Sequence, residues 1–175
     1  YPIFVIVFTL KNGYFHLNRK YFQMTLDATD KKLLQFLQED SKQTTKELSL
    51  KLNLSVTAVY ERIKKLEREE IISKYVVLLN RNKIQKGFVV FCHLKLMQHT
   101  KEFISQFEKE VVQLSEVLEC FHVSGDYDYI LKICVENMEE YREFMVTKLT
   151  TLQHIGSTHS TFMIGEVKNT TAFSM

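Results

Sequence analysis

The run FVVFCHLKLM, residues 88–97, constrains this chain more than any other stretch. Phe88, Val90, Cys92, Leu94 and Leu96 form one continuous apolar side, while Val89, Phe91, His93, Lys95 and Met97 make a mixed one. That period of two is a strand with one buried face. Such a strand needs backbone partners at its edges and a layer of side chains over its apolar face. The sequence downstream offers both. A helix from about Thr100 places Phe103, Phe107, Val111 and Leu114 on one side. Strands over about 117–123 and 127–135 follow, joined by Ser124–Gly125–Asp126. A second helix, about 138–149, buries Tyr141, Met145 and Leu149, and a last strand runs over about 156–167. Strand–helix–strand–strand–helix–strand is the ferredoxin-like order, with both helices on one face. The other face, with Phe91, Met97 and Met163, is left uncovered and is expected to be an interface, most simply of a two-fold dimer.

The first half has a different period. Asp27 is a good N-cap, with Leu33, Leu34 and Leu37 at helical spacing behind it, and that helix is expected to end near Asp40–Ser41. Thr44 with Glu47 makes a capping box that opens a short helix burying Leu48 and Leu52. Asn53–Leu54–Ser55 is a tight break, and Ser55 caps a third helix with Val59, Ile63 and Leu66 at i, i+4, i+7. Three short helices with this break describe a helix-turn-helix. Opposite its apolar stripe the third helix carries Thr57, Tyr60, Glu61, Arg62, Lys64, Lys65 and Arg68. Such a face can enter a DNA major groove, where hydroxyls, Arg and Lys reach base edges and phosphates. It can equally be an ordinary solvated face, and Glu61, Glu67, Glu69 and Glu70 weigh against DNA.

Domain limits follow from these period changes: a helix-turn-helix over 24–74, a linker over 75–86 and the ferredoxin-like domain over 87–175. Within the linker, 75–79 is expected to be a strand and 80–86 a basic connector. The opening YPIFVIVFTL precedes the first methionine, Met24, and residues 1–23 are set aside as an extension without a place in this plan. Its apolar run is far shorter than the ~20 residues a membrane span needs. Net charge is only +2, so affinity for nucleic acid has to come from local clustering. Cys92, Cys120 and Cys134 are an odd number in apolar runs, which suits reduced thiols in a cytoplasm better than disulfides or a metal site.

Three strings carry a resemblance: LDATDKKLLQFLQEDSKQTTKELSLKLNLS, RIKKLEREEIISKYVVLLN and HVSGDYDYILK. In this order they resemble the Lrp/AsnC, or feast/famine, transcription regulators, over Met24 to about Lys168. The resemblance implies an α+β chain: an N-terminal winged-type helix-turn-helix domain plus a C-terminal ferredoxin-like (βαββαβ) ligand-binding domain. It implies double-stranded DNA and a small amino-acid effector as partners, a homodimer assembling to an octamer, and no cofactor, metal, catalysis or membrane. DNA contacts are then expected from Thr44, Ser55, Thr57, Tyr60, Glu61, Arg62, Lys64 and Lys65. Effector contacts are expected from Ser124, Gly125, Asp126, Tyr127, Asp128 and Tyr129, with Thr158, Ser160 and Phe162 of the last strand, in a site between associated dimers.

An amino acid brings an ammonium and a carboxylate. Asp126 or Asp128 can accept from the first, and backbone N–H groups of a glycine turn suit the second. Strand alternation puts both aspartates on one face and Tyr127 and Tyr129 on the other. A turn-capping role suits Asp126, and the ammonium role suits Asp128, which lies past the turn. Two rivals stand beside this reading. One is an enzyme resembling siroheme decarboxylases, using histidines from His93, His122, His154 and His159, of which His93 and His159 are brought side by side by the strand order. The other is an amino-acid sensor without DNA binding. No Walker loop, dinucleotide fingerprint or nucleophile elbow is present in the sequence.

Overall fold

The computed structural model describes residues 8–11, 14–17 and 26–175. The chain divides into two compact units, Tyr1–Tyr75 with Thr170–Met175, and Val76–Asn169. Met24 and most of the stretch before it lie outside the described residues, so the expected 1–23 extension is described only in part. Its described part is a small antiparallel pair, β1 (Phe8–Lys11) with β2 (Tyr14–Leu17).

In the first unit, three helices arise where the local signals place them. Helix α1 (Ala28–Glu39) starts at Asp27, whose side chain accepts from the Asp30 N–H at 2.7 Å. Helix α2 (Thr45–Leu52) starts on the complete Thr44/Glu47 capping box. It ends at Asn53, which adopts a left-handed φ of 52°. Asn tolerates that conformation better than most side chains, and this turns the chain into α3 (Val56–Arg68) within three residues. Leu33, Leu34, Leu48, Val59 and Leu66 close a small core. The C-terminal tail joins this unit: Gln38 on α1 donates to the Phe173 carbonyl and accepts from its N–H.

The second unit is the expected βαββαβ: β3 (Phe88–Leu96), α4 (Lys101–Val111), β4 (Val117–His122), β5 (Tyr129–Val135), α5 (Met138–Thr147) and β6 (Ile155–Phe162). The sheet order is β4-β5-β3-β6, all antiparallel. Val90, Cys92, Leu94 and Leu96 pack with Leu131, Ile133 and Val135 under Phe107, Val111, Tyr141 and Phe144 of the two helices. Neither helix of this unit covers the opposite face. Of the three residues expected there, Phe91 and Met163 are half-buried and Met97 is exposed. Val89 and Cys134 of that face are nevertheless buried. The Arg81–Glu166 ion pair, with Arg81 beside Cys134, joins the connector to the segment after β6 at that end of the sheet.

Three expectations need correction. Tyr75–Leu79 is no strand: it lies among residues without ladder partners, and Tyr75, Val76, Val77, Leu78 and Leu79 are all exposed. An extended segment becomes a strand only when another edge satisfies its backbone. Strand β6 stops at Phe162 rather than near 167, because β3 begins at Phe88 and past Met163, whose N–H still reaches the Val89 carbonyl, no partner remains. Strand β5 starts at Tyr129 rather than 127, so residues 126–128 do not follow strand alternation.

The first unit also buries a charge. Asp30 is 1% exposed. Arg62 Nη1 donates to Asp30 Oδ1 at 2.6 Å and to Asp27 Oδ2 at 2.7 Å, tying α3 to the start of α1. These two carboxylates hold the Arg62 guanidinium above its ordinary pKa. The Asp27 carboxyl is held below its usual value by the Asp30 N–H first and by Arg62 second. Removing the guanidinium strands Asp30 in an apolar core. Arg62→Ala is therefore expected to cost about 2–4 kcal/mol of stability, near the range for breaking a buried pair. Thermal unfolding followed by circular dichroism checks this, with Arg62→Lys retaining part of the loss; an unchanged melting temperature for Arg62→Ala would remove the pair from the account of how α1 meets α3.

Candidate functional site

On α3, Ser55 accepts from the Ala58 N–H at 3.1 Å, and Thr44 is similarly occupied at α2, so both hydroxyls act as caps. Thr57, Tyr60, Glu61 and Lys64 are exposed. Lys64 pairs with Glu67 at 2.7 Å and lies 5.7 Å from the Tyr60 ring. Arg62 turns inward to Asp27 and Asp30, and the Lys65 ammonium stands 3.9 Å from Asp30 Oδ2, a buried oxygen with no hydrogen-bond partner. Of the eight residues expected to face DNA, two are caps, one is an internal ion-pair partner and one leans toward the same buried carboxylate. Asp27 and Asp30 were missed as partners of Arg62 because 35 and 32 residues separate them from it.

The second site begins where β5 ends. Tyr129 pairs with Leu94, so the next inward N–H of β3, that of Leu96, has no strand to meet. Asp128 supplies the acceptor: its Oδ2 takes the Leu96 N–H at 2.8 Å, and its Oδ1 lies 2.8 Å from His99 Nε2. The Asp128 N–H donates to the Leu94 carbonyl and its own carbonyl accepts from Val123, closing the turn. Burial pushes the Asp128 carboxyl up, but the Leu96 N–H and His99 outweigh it and the net direction is down. His99 is a residue that sequence reasoning missed; it follows β3 and no local pattern links it to Asp128. Ser124, Gly125 and Asp126 are exposed on the turn, where Gly125 takes a φ of 128° that L side chains rarely adopt.

The expected division into an acidic and an aromatic side does not hold, because residues 126–128 are not strand. Tyr127 lies 5.1 Å from His93 and 6.3 Å from His159, ring to ring, on the open face. Tyr129 is 1% exposed on the helix side, tilted against Phe107 and stacked on His122, with its hydroxyl donating to Glu108 at 2.9 Å. Thr158, Ser160 and Phe162 lie opposite Leu94, Cys92 and Val90 and therefore share the helix-side face. Ser160 is hydrogen-bonded to Tyr141, and Phe162 packs on Phe88 and Tyr141. The fold thus brings the turn and the start of β6 to one end of the sheet but points their side chains to different faces. His93 and His159 are direct cross-strand partners, as the strand order implied.

Comparison with known proteins matches each unit separately. Residues 26–73 match the winged helix-turn-helix DNA-binding family, and residues 89–173 match the Lrp/AsnC ligand binding domain. The leucine-responsive regulatory protein of Haemophilus influenzae is 37% identical over 145 residues, 83% of this chain and 87% of that protein. The chain belongs to the Lrp/AsnC family. A transcriptional regulator of Neisseria meningitidis, solved in complex with L-Met, superposes with a TM-score of 0.81 at 32% identity, over 85% of this chain and 96% of that one. An AsnC family regulator from Agrobacterium tumefaciens gives 0.80, also at 32%, over 84% and 95%. This Lrp/AsnC protein is accordingly a DNA-binding transcription regulator with an amino-acid effector domain, and its relatives are regulators, not enzymes. No helix among the described residues is long and apolar enough to cross a membrane.

The Asp128 contacts have a pH consequence. A carboxyl whose folded pKa lies below its usual value contributes stability that is present above the usual range and is lost as pH falls through the folded value. Asp128→Ala is expected to cost about 1.5–3 kcal/mol near neutral pH, the range for a hydrogen bond to a charged group. The gap between wild type and variant should then close on acidification below about pH 4, where the unfolded carboxyl protonates. Denaturant unfolding at neutral and acid pH measures both; a gap that stays constant with pH would mean that the Asp128 charge holds nothing.

Proposed function

We propose that this regulator works as a homodimer, assembling further to an octamer in the cytoplasm, and that a small apolar amino acid shifts its assembly and its hold on DNA. The exposed, unpartnered Tyr75–Leu79 segment and the uncovered sheet face support self-association, since an extended apolar edge of this kind is a template for a second chain. The outward face of α3, with Thr57, Tyr60, Glu61 and Lys64, docks in the major groove. The names of the relatives, leucine-responsive proteins and a regulator crystallised with L-Met, favour leucine and methionine as first effectors to try.

The observation that carries the effector reading is the division of labour between the two aspartates. Asp128 is tied into the sheet by Leu96 and His99, whereas Asp126 is exposed on the glycine turn. Asp126 is therefore the ammonium partner, reversing the roles that the sequence suggested. Backbone N–H groups at Ser124 and Gly125 receive the carboxylate, Tyr127 flanks the turn on the open face and Tyr129 anchors it in the core, while Thr158, Ser160 and Phe162 lie on the helix-side face of β6. An effector acts only through its differential affinity for two states, here two assembly states.

Leucine and methionine should change both the gel-shift pattern and the light-scattering mass of the wild type. Asp126→Ala should keep DNA affinity and melting temperature yet need roughly tenfold or more effector for the same change, the equivalent of about 1.5–3 kcal/mol for a charge-assisted bond. A full response of Asp126→Ala at wild-type effector concentrations would end its assignment to the ammonium.

A further inference from the structure

The commonest specific contact in a major groove is an arginine fork on guanine O6 and N7. Helix α3 has one arginine in its first two turns, and that one is turned toward carboxylates of α1 and its cap. Its first arginine, Arg62, has Nη1 bound to Asp27 and Asp30, and Arg68 is the last residue of the helix. Lys64 is shared between Glu67 and the Tyr60 ring. What faces outward is of another chemistry. Val56 is 46% exposed and Tyr60 48% exposed, although neither polar water contact nor the core requires an apolar side chain there. Thr57 and Glu61 are exposed beside them. Helical spacing arranges these groups in two adjacent rows, Val56–Tyr60–Lys64 and Thr57–Glu61.

Each group matches a pyrimidine edge. A methyl or ring edge complements the thymine 5-methyl, and a carboxylate accepts from the cytosine N4 amino group. Glu61 facing phosphates would oppose binding; facing a cytosine amino group it has a donor to meet, and it repels the acceptors of guanine and thymine. We propose that α3 reads pyrimidines, with Val56, the Thr57 methyl and Tyr60 against thymine methyls and Glu61 on a cytosine amino group, and without an arginine–guanine fork. This rests on α3 docking in the major groove, the reading given above.

The probe is a duplex selected by the full chain from a random-sequence pool, then remade with deoxyuridine replacing thymidine one position at a time and titrated by fluorescence anisotropy. Deoxyuridine lacks only the 5-methyl group. At contacted positions the wild type should bind about fourfold more weakly, the worth of one buried methylene. Val56→Ala, Thr57→Ser or Tyr60→Ala should each erase that difference at one position, and Glu61→Gln should relax a preference for cytosine. Lys64→Ala should weaken all sequences alike and lower the salt dependence by roughly one unit. If every deoxyuridine duplex binds like its parent while Lys64→Ala still weakens binding, the pyrimidine reading falls and groove docking stands. A deoxyuridine loss that persists in all three apolar variants overturns it as well. If no duplex is selected, or none of the five variants changes binding, the docking of α3 falls with it.

Discussion

Strand β3 must satisfy two edges and one face at once. It takes β5 on one edge and β6 on the other, and Val90, Cys92 and Leu94 on its helix side are fully buried. A central strand with a period of two can seal only one of its faces with the two helices that its crossovers supply. The other face, with Phe91, His93 and Lys95, is left to whatever else the protein meets. The glycine turn hangs from the same strand. Because β5 starts opposite Leu94, the Leu96 N–H needs an acceptor, and Asp128 is the nearest carboxylate that the turn can offer. The effector domain's open face and its turn are thus two consequences of how one strand is partnered.

Charge is governed by a similar economy. A carboxylate out of water needs a donor, and its cost when unpaired exceeds the worth of most surface contacts. Asp30 captures Arg62 for this reason, and the bulged, unpaired end of β3 captures Asp128. Both had the right residue type and position for recognition, and both are consumed within the fold. The groups left outward, Thr57, Tyr60 and Glu61 on α3 and Asp126 on the turn, are fewer and of different chemistry from the full set of polar residues on those elements.

The helices and their caps were legible because their physics is local. Asp27, Thr44 and Ser55 each accept from an N–H three residues away, so composition and spacing contain the whole interaction. The strand order was legible because one apolar face on a short strand, two amphipathic helices and short connections leave few ways to close a sheet. Element ends were less legible. Tyr75–Leu79 has a strand's composition but no partner edge, and β6 runs out where β3 begins. Tyr127 and Tyr129 alternate in sequence, yet only the second lies in a ladder.

By itself the sequence determined the three-helix unit, the βαββαβ order and the one-sided core, since each depends on periodicity or on spacings of a few residues; the family entered through the resemblance of three longer strings. Tertiary structure decided which charges remain available. Arg62 meets carboxylates 32 and 35 residues away, and Asp128 meets a backbone N–H 32 residues away. Register across β3 decided the faces, sending Thr158, Ser160 and Phe162 to the helix side and His159 to the open one. Those pairings are set by how separate elements close over a shared core, and no local pattern in the chain records them.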